Sequence, residues 1–387
     1  MSKDTERLPA TLKSRRFVAL DGLRGIAIVL VMLSHGWALW PMTEIDKFPI
    51  AGNVFRSGNL AVSVFLVVSG FLLVRGELAA MNRPARRPGE PVRSAIRRTV
   101  RVAAPVYLLI AAMFAAAVLD PRPDFDDAMT RATAEHLATF TWNWYLEDNP
   151  LKARSDMGHL WYISVFLQVT LVLIALVALL GRRVWLLTGV LAVTLVAVIA
   201  WRHHTMAVEG WYRPLLRTTT RMDGMLWGGL LACAEPLLER ARRYAAAILA
   251  VGATALTCLL FAIGNDPTYL SWPGEAIALS TCALVAGVVL LPDRAASRHA
   301  FACAPLVWLG RVSLPLYIWH YPIFWLVAFH TETWSWPART VLGMGLSLAV
   351  AMVMDRVVDR PLLRALETWR WTRRSSVMTT EPAPAQG

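Results

Sequence analysis

Charged residues are scarce in this chain of 387 residues: 17% are Asp, Glu, Lys or Arg, against roughly a quarter in an average soluble domain. That shortage excludes a disordered protein, a coiled coil and an ordinary cytosolic enzyme. Cysteine is rarer still. Cys233, Cys258, Cys282 and Cys303 fall in apolar runs or in segments read below as cytoplasmic, which argues against an extracytoplasmic disulfide. No Walker loop, GxSxG elbow or dinucleotide fingerprint stands in a usable context, and no ligand spacing points to a metal. His203-His204 reads as a solvent-exposed loop pair. There is no internal repeat, and no loop is long enough for a soluble domain of its own. What fills the chain is apolar, 56% of all residues, as expected where lipid is the solvent.

A membrane-crossing helix needs about 20 mostly apolar residues. Ten such runs are read, at 17–40, 59–75, 99–119, 159–180, 184–201, 223–234, 244–263, 275–291, 305–328 and 340–358. The expected fold class is therefore all-α, a polytopic membrane helix bundle of about ten transmembrane helices. The formal charge of +12 looks at first like a nucleic-acid footprint, but it is spread along the chain. With the N-terminus inside, the cytoplasmic segments carry 26 Lys and Arg and the outer segments 11, as the positive-inside bias requires. Both termini are expected to be cytoplasmic, and nucleic acid is set aside. The domain reading is a cytoplasmic tail 1–16, a transmembrane unit 17–364 and a cytoplasmic, largely disordered tail 365–387. No cleaved signal peptide is expected, because no short apolar core with a small-residue cleavage site follows the charged start. The one sizeable outer loop, 120–158, is acidic and reads as a solvated surface.

Ionisable groups inside such runs cost about 2.5–3.5 kcal/mol at the centre and point to function by default. The first run holds three: Asp21, Arg24 and His35. Arg24 and His35 are eleven residues apart, about three turns, so they share one helix face with roughly 16 Å between them along the axis. Asp21 stands three residues before Arg24 and can pair with it; Gly22 and Gly25 allow close helix approach. A plain ion pair near one interface, with His35 at the other, is the competing reading. The remaining polar groups form two layers. An outer layer holds His35, His159, Asp223, Tyr317 and His320; His320 lies ~15 residues into its run, near ~22 Å of rise. An inner layer holds Arg24, Ser69, Arg97, Arg98 and Arg101. Histidines suit acid–base work near neutral pH. Arginines suit a phosphorylated cytosolic donor, although arginines in such places also anchor topology on lipid phosphate.

The stretch LDGLRGIAIVLVMLSH at 20–35 resembles the signature of the acyltransferase-3 family of membrane acyltransferases, Arg, ten residues, then His. Six further stretches resemble that family's motifs in order. They are AVSVFLVVSGFLL at 61–73, RRTVRVAAP at 97–105, WNWYL at 142–146 with GHLWYISVFLQ at 158–168, RMDGMLWGGLLA at 221–232, LGRVSLPLYIWHYPIF at 309–324 and DRPLLR at 359–364. Two departures stand out. The proline after the second arginine motif comes one residue late, and many members have Glu-Glu where this chain has Phe166-Leu167. The resemblance implies transfer of an acyl group, usually acetyl from acetyl-CoA, to a hydroxyl of a sugar, surface polysaccharide, glycolipid or macrolide in the cell (inner) membrane. No bound cofactor or metal is implied; acyl-CoA is the donor substrate. Its phosphates would rest on Arg98 and Arg101, with Arg97 and Ser69 beside them. His35 would activate the hydroxyl or carry the acyl group, Asp21 would orient Arg24, and His159, Trp161, Asp223, Tyr317 and His320 would line the acceptor side. Many relatives carry a C-terminal SGNH esterase-like domain. This chain is expected to lack one, so delivery would end at the membrane or pass to a separate partner. The alternatives are a tailoring enzyme for a small secreted product and, from another class, a proton-coupled transporter or a non-catalytic scaffold. The transporter reading lacks the inverted repeats and paired broken helices common in that class.

Overall fold

The computed structural model describes residues 17–40, 43–83, 89–122, 124–264, 266–292 and 295–366. The tail 1–16 and all but two residues of the tail 365–387 lie outside the described residues. Those described are helical or in short loops, with no strand among them, so the chain is an all-α polytopic membrane bundle. Its long helices are α1 (Val18–Leu39), α2 (Gly58–Met81), α3 (Glu90–Leu119), α4 (Trp161–Leu180), α5 (Val184–Glu209), α6 (Asp223–Leu238), α7 (Ala245–Ile263), α8 (Trp272–Leu290), α9 (Ser313–His330) and α10 (Trp336–Met354).

By length and apolar composition, eight helical segments among the described residues can cross a membrane, or nine if a bent pair counts as one. The sixth and seventh expected runs share one segment, Asp223–Ile263. Packing shows that this segment is two legs. Gly224 lies against Leu66, Gly228 against Val67 and Phe71, and Gly229 near Val74, so α6 runs beside α2 in the same direction. Arg75 of α2 grips Glu235 near the far end of α6, at 2.7 Å. Gly252 packs on Ala283 and Leu284 while Gly287 packs on Leu249, so α7 and α8 are antiparallel. Asp223 and Glu275, at the starts of α6 and α8, share Arg202. The chain therefore reverses between α6 and α7, at the 3₁₀ turn Glu239–Tyr244 with its exposed Arg240.

The bent pair is Ala304–Arg311 and α9, which meet at 74°. The ninth run, 305–328, was read as a single continuous span. Gly310 instead approaches the Asp21 backbone so closely that a Cβ would overlap its carbonyl, and Ser313 Oγ donates to the Gly310 carbonyl at 2.9 Å. The depth of ~15 residues expected for His320 does not hold, because α9 begins at Ser313, seven residues before it. The third run was expected to begin at 99, yet α3 begins at Glu90. Arg98 and Arg101 thus stand more than two turns inside a helix.

Helix α2 is central. Its stretch Leu60–Val68 is buried on every side, as an evenly apolar helix should be, and it packs against α1, α4, α6 and α8. The loop 120–158 is not merely a solvated surface. It forms helices Asp127–Ala138 and Trp142–Asp148 and a 3₁₀ turn Ser155–Leu160, which bury Trp142, Asn143, Arg154, Asp156 and His159. Trp142 donates to the Met157 carbonyl at 3.0 Å, and Arg154 pairs with Asp156 at 2.8 Å. Asp124, Asp126, Asp127, Glu135 and Asp148 face solvent, but Asp156, Glu147 and Trp142 are buried and carry the chain back into the bundle at His159.

Candidate active site

Helices α1 and α9 are joined at two levels. At the first, Arg24 donates to Ser313 Oγ at 2.8 Å, with Asp21 3.6 Å from the guanidinium. At the second, His35 Nδ1 and His320 Nε2 are 2.7 Å apart. Both contacts follow from the eleven-residue spacing, which turns the two side chains to one face of α1.

The lower level opens on a cavity of about 120 Å³ lined by residues of five helices. Arg24, Ser69, Arg98 and Arg101 supply its polar side; Phe65, Val102, Ile163, Phe166 and Leu314 supply its apolar side. Tyr162, Ser313 and Tyr317 complete it, and no carboxylate among the described residues lines it. Arg98 reaches Glu77 at a long 3.5 Å, and Ser94 also donates to Glu77. The buried Nε atoms of Arg98 and Arg101 have no hydrogen-bond partner among the described residues. An arrangement of three guanidiniums facing an apolar wall suits an anion that carries an apolar tail. Arg97, although next in sequence, is not among the lining residues. Phe166, where many members have a glutamate, contributes to the apolar wall, and Gln168 turns away to the Phe140 carbonyl at 2.8 Å.

The upper level is an imidazole cluster. His35 stacks on His320 with ring centroids 5.0 Å apart, and His159 stands edge-on to both, at 6.0 and 5.2 Å. The tautomers follow from what each nitrogen faces. His320 Nδ1 faces the Leu316 and Tyr317 carbonyls at 3.1 and 2.8 Å. Carbonyls only accept, so Nδ1 carries the proton, and in the neutral pair His320 Nε2 accepts from His35 Nδ1–H. His35 Nε2 is left holding a lone pair, the form a general base needs. Tyr317 separates the two levels. It lines the cavity, its hydroxyl donates to the His159 carbonyl at 2.6 Å, and its ring lies 5.7 Å from His320.

The structure thus brings together Arg24, Asp21, Ser69, Arg98 and Arg101 at one level and His35, His159, Tyr317 and His320 at the other. Asp223 does not join them. It binds Arg202 at 2.7 Å within a buried network with Glu275 that ties together α5, α6 and α8. A carboxylate beside so buried an arginine is held by its charge. Trp161 faces Arg221, whose guanidinium lies 5.6 Å from the Trp161 ring and 5.7 Å from that of Tyr269. Four further residues reach the site without standing out in the sequence as charged groups in apolar runs: Ser313, Tyr162, Phe166 and Tyr321, the last with its ring 4.5 Å from that of His35. Ser313 and Tyr321 both sit in the stretch that contains His320, which was the available signal. At the rim above, Arg122 and then His330 bond Asp120, at 2.6 and 3.1 Å, and hold its carboxyl below the usual carboxylate range.

A helical bundle with a cationic cavity inside it and a base-competent imidazole above that cavity defines a class, the polytopic membrane enzymes that act on a substrate held within the bundle. A family model described as "Acyltransferase domain" matches residues 17–356. The chain therefore belongs to the acyltransferase-3 family and is a membrane O-acyltransferase. It is 26% identical to the putative membrane-bound transacylase BcsY of Komagataeibacter xylinus over 312 residues, 78% of this chain and 72% of that one. It is 22% identical to the O-acetyltransferase OatA of Staphylococcus aureus over 385 residues, 93% of this chain but 59% of the relative. No solved structure matches the chain.

Proposed function

We propose that this enzyme moves an acyl group, acetyl in the first instance, from cytosolic acyl-CoA to a hydroxyl of a surface polysaccharide, glycan or glycolipid at the inner membrane. The observation that carries the reading is that the arginine cavity and the imidazole cluster share Tyr317 as a common wall. A donor whose phosphates rest on Arg98 and Arg101 would lay its thioester along the apolar side, past Arg24 and up toward His35. The acceptor oxygen attacks the thioester carbonyl while His35 Nε2 takes its proton. The tetrahedral intermediate then expels the CoA thiolate, which recovers a proton from His35. Arg24, held by Asp21 and Ser313, stands one level below His35 and offers positive charge along the donor's path. The excess of Lys and Arg in the segments assigned to the inside supports a cytosolic donor side, with both termini there. The acylated product leaves at the opposite face or passes its group to a separate partner. The names of the two relatives, a transacylase and an O-acetyltransferase, support the reaction type.

The test is transfer of labelled acetyl from acetyl-CoA to the glycans and lipids of isolated membranes. His35→Ala is expected to reduce it by about 10²–10⁴, the usual worth of a general base, with the protein inserted at its normal level. Near-wild-type transfer would refute the role given to His35.

A further inference from the structure

His159 carries a feature that the reaction above leaves unused. Its Nε2 faces the Tyr317 and Ile318 carbonyls at 3.0 and 3.2 Å, so Nε2 holds the proton and Nδ1 of the neutral ring holds a lone pair. That Nδ1 is buried and has no hydrogen-bond partner among the described residues, in a residue only 4% exposed. A buried acceptor without a donor is costly and calls for one. Two imidazole lone pairs, His35 Nε2 and His159 Nδ1, therefore stand in one cluster, with ring centroids 6.0 Å apart.

We propose that the acceptor is bound as a pair of neighbouring hydroxyls, as on a sugar ring, with His159 Nδ1 accepting from the hydroxyl that is not acylated. The inference rests on the acyl-transfer reading above and names its substrate class. Two hydrogen bonds of ~2.8 Å ending on adjacent oxygens bridge a separation of this size. The hydroxyl at His35 gives up its proton and receives the acyl group. Its neighbour only donates to His159 and is released unchanged. The Tyr321 ring lies against both imidazoles, at 4.5 and 5.1 Å, and the acceptor takes the place of this ring. An acceptor with a single hydroxyl leaves one lone pair unanswered, and sites that hydrogen-bond a substrate group discriminate strongly against analogues lacking it.

The experiment uses the full chain in proteoliposomes with labelled acetyl-CoA. The acceptors are octyl β-glucopyranoside, its monodeoxy analogues and 1-octanol. In the wild type, kcat/KM for the glucoside should exceed that for octanol by roughly tenfold to hundredfold, and removing the hydroxyl next to the acylated one should cost most of that factor. His159→Phe keeps a ring in the same place but has no lone pair to offer a hydroxyl, so it should bring the glucoside-to-octanol ratio toward one, mainly through acceptor KM. Octanol acetylated as efficiently as the glucoside by the wild type overturns the proposal without any variant being made. An unchanged ratio in a folded His159→Phe protein overturns it too. Transfer to none of these acceptors contradicts the acyl-transfer reading itself, and the diol with it.

Discussion

At the scale of single residues, the site depends on backbone carbonyls that fix which nitrogen holds a proton. His320 does not need to touch substrate to matter. Its Nδ1–H is taken by Leu316 and Tyr317, so its Nε2 must accept from His35. In the proposed mechanism His320 is thus a positioning residue for His35. His320→Ala should lower kcat by roughly tenfold to hundredfold, less than loss of the base itself, while leaving the KM for acyl-CoA within about twofold. His320→Gln, which offers an amide oxygen to His35 Nδ1–H, should restore part of the rate. A parallel rise in donor KM, or no rescue by glutamine, would show that His320 only fills space. Much of this was legible in the sequence, because an ionisable side chain in an apolar run stands out by its cost. Asp223 stood out for the same reason and serves structure instead, since cost alone does not distinguish a reacting group from one neutralised by Arg202. Tyr321 and Phe166 were illegible because aromatic residues in an apolar run carry no such signal.

At the scale of elements, glycine sets the approach of α1 to the backbone of Phe301 and of the helix Ala304–Arg311. A Cβ on Gly22 would overlap the Phe301 carbonyl oxygen and one on Gly25 that of Leu306, so neither position accepts a side chain without backbone movement. Gly345, on the exposed face of α10, has nothing within 4 Å of such an atom. Gly22→Ala should therefore lower stability by about 1–3 kcal/mol or more, read as a lower apparent Tm in detergent. Gly345→Ala should leave it unchanged or slightly higher, by the better helix propensity of alanine. Equal Tm values for the two variants would contradict the packing described. The apolar runs themselves were readable from length. The 74° bend before α9 and the early start of α3 at Glu90 were not. Both depend on partners far away in sequence, Asp21 for Gly310 and Glu77 for Ser94 and Arg98.

At the scale of the whole molecule, the two levels of the site acquire meaning from the direction in which the bundle is inserted. The charge bias implies that the end carrying the 120–158 loop lies outside. The test is a background without native cysteines and a membrane-impermeant thiol reagent on intact cells. A cysteine at the exposed Asp124 should react, and one at the exposed Arg240, in the turn between α6 and α7, should not. Reaction at Arg240 from outside would invert the bundle and put the arginine cavity on the wrong side for a cytosolic donor. The expected orientation rests on the sequence, because arginine distribution governs insertion before any packing exists. The folded 120–158 segment is less so, since its burial comes from Trp142 and the Arg154–Asp156 pair rather than from its conspicuous acidic residues.

The central claim is that donor binding and proton transfer occupy separate levels joined by Tyr317. The most direct measurement is equilibrium binding of acetyl-CoA to the purified protein in lipid nanodiscs, paired with acetyl transfer by the same preparations. Arg98→Ala and Arg101→Ala should each weaken binding by roughly tenfold to hundredfold, the worth of a charge-assisted contact of ~1.5–3 kcal/mol. Lysine at either position should recover only part of it, because it lacks the planar fork. Binding to His35→Ala should stay near the wild-type value while its transfer is lost. Wild-type affinity in both arginine variants, or loss of acetyl-CoA binding in His35→Ala, would contradict the account.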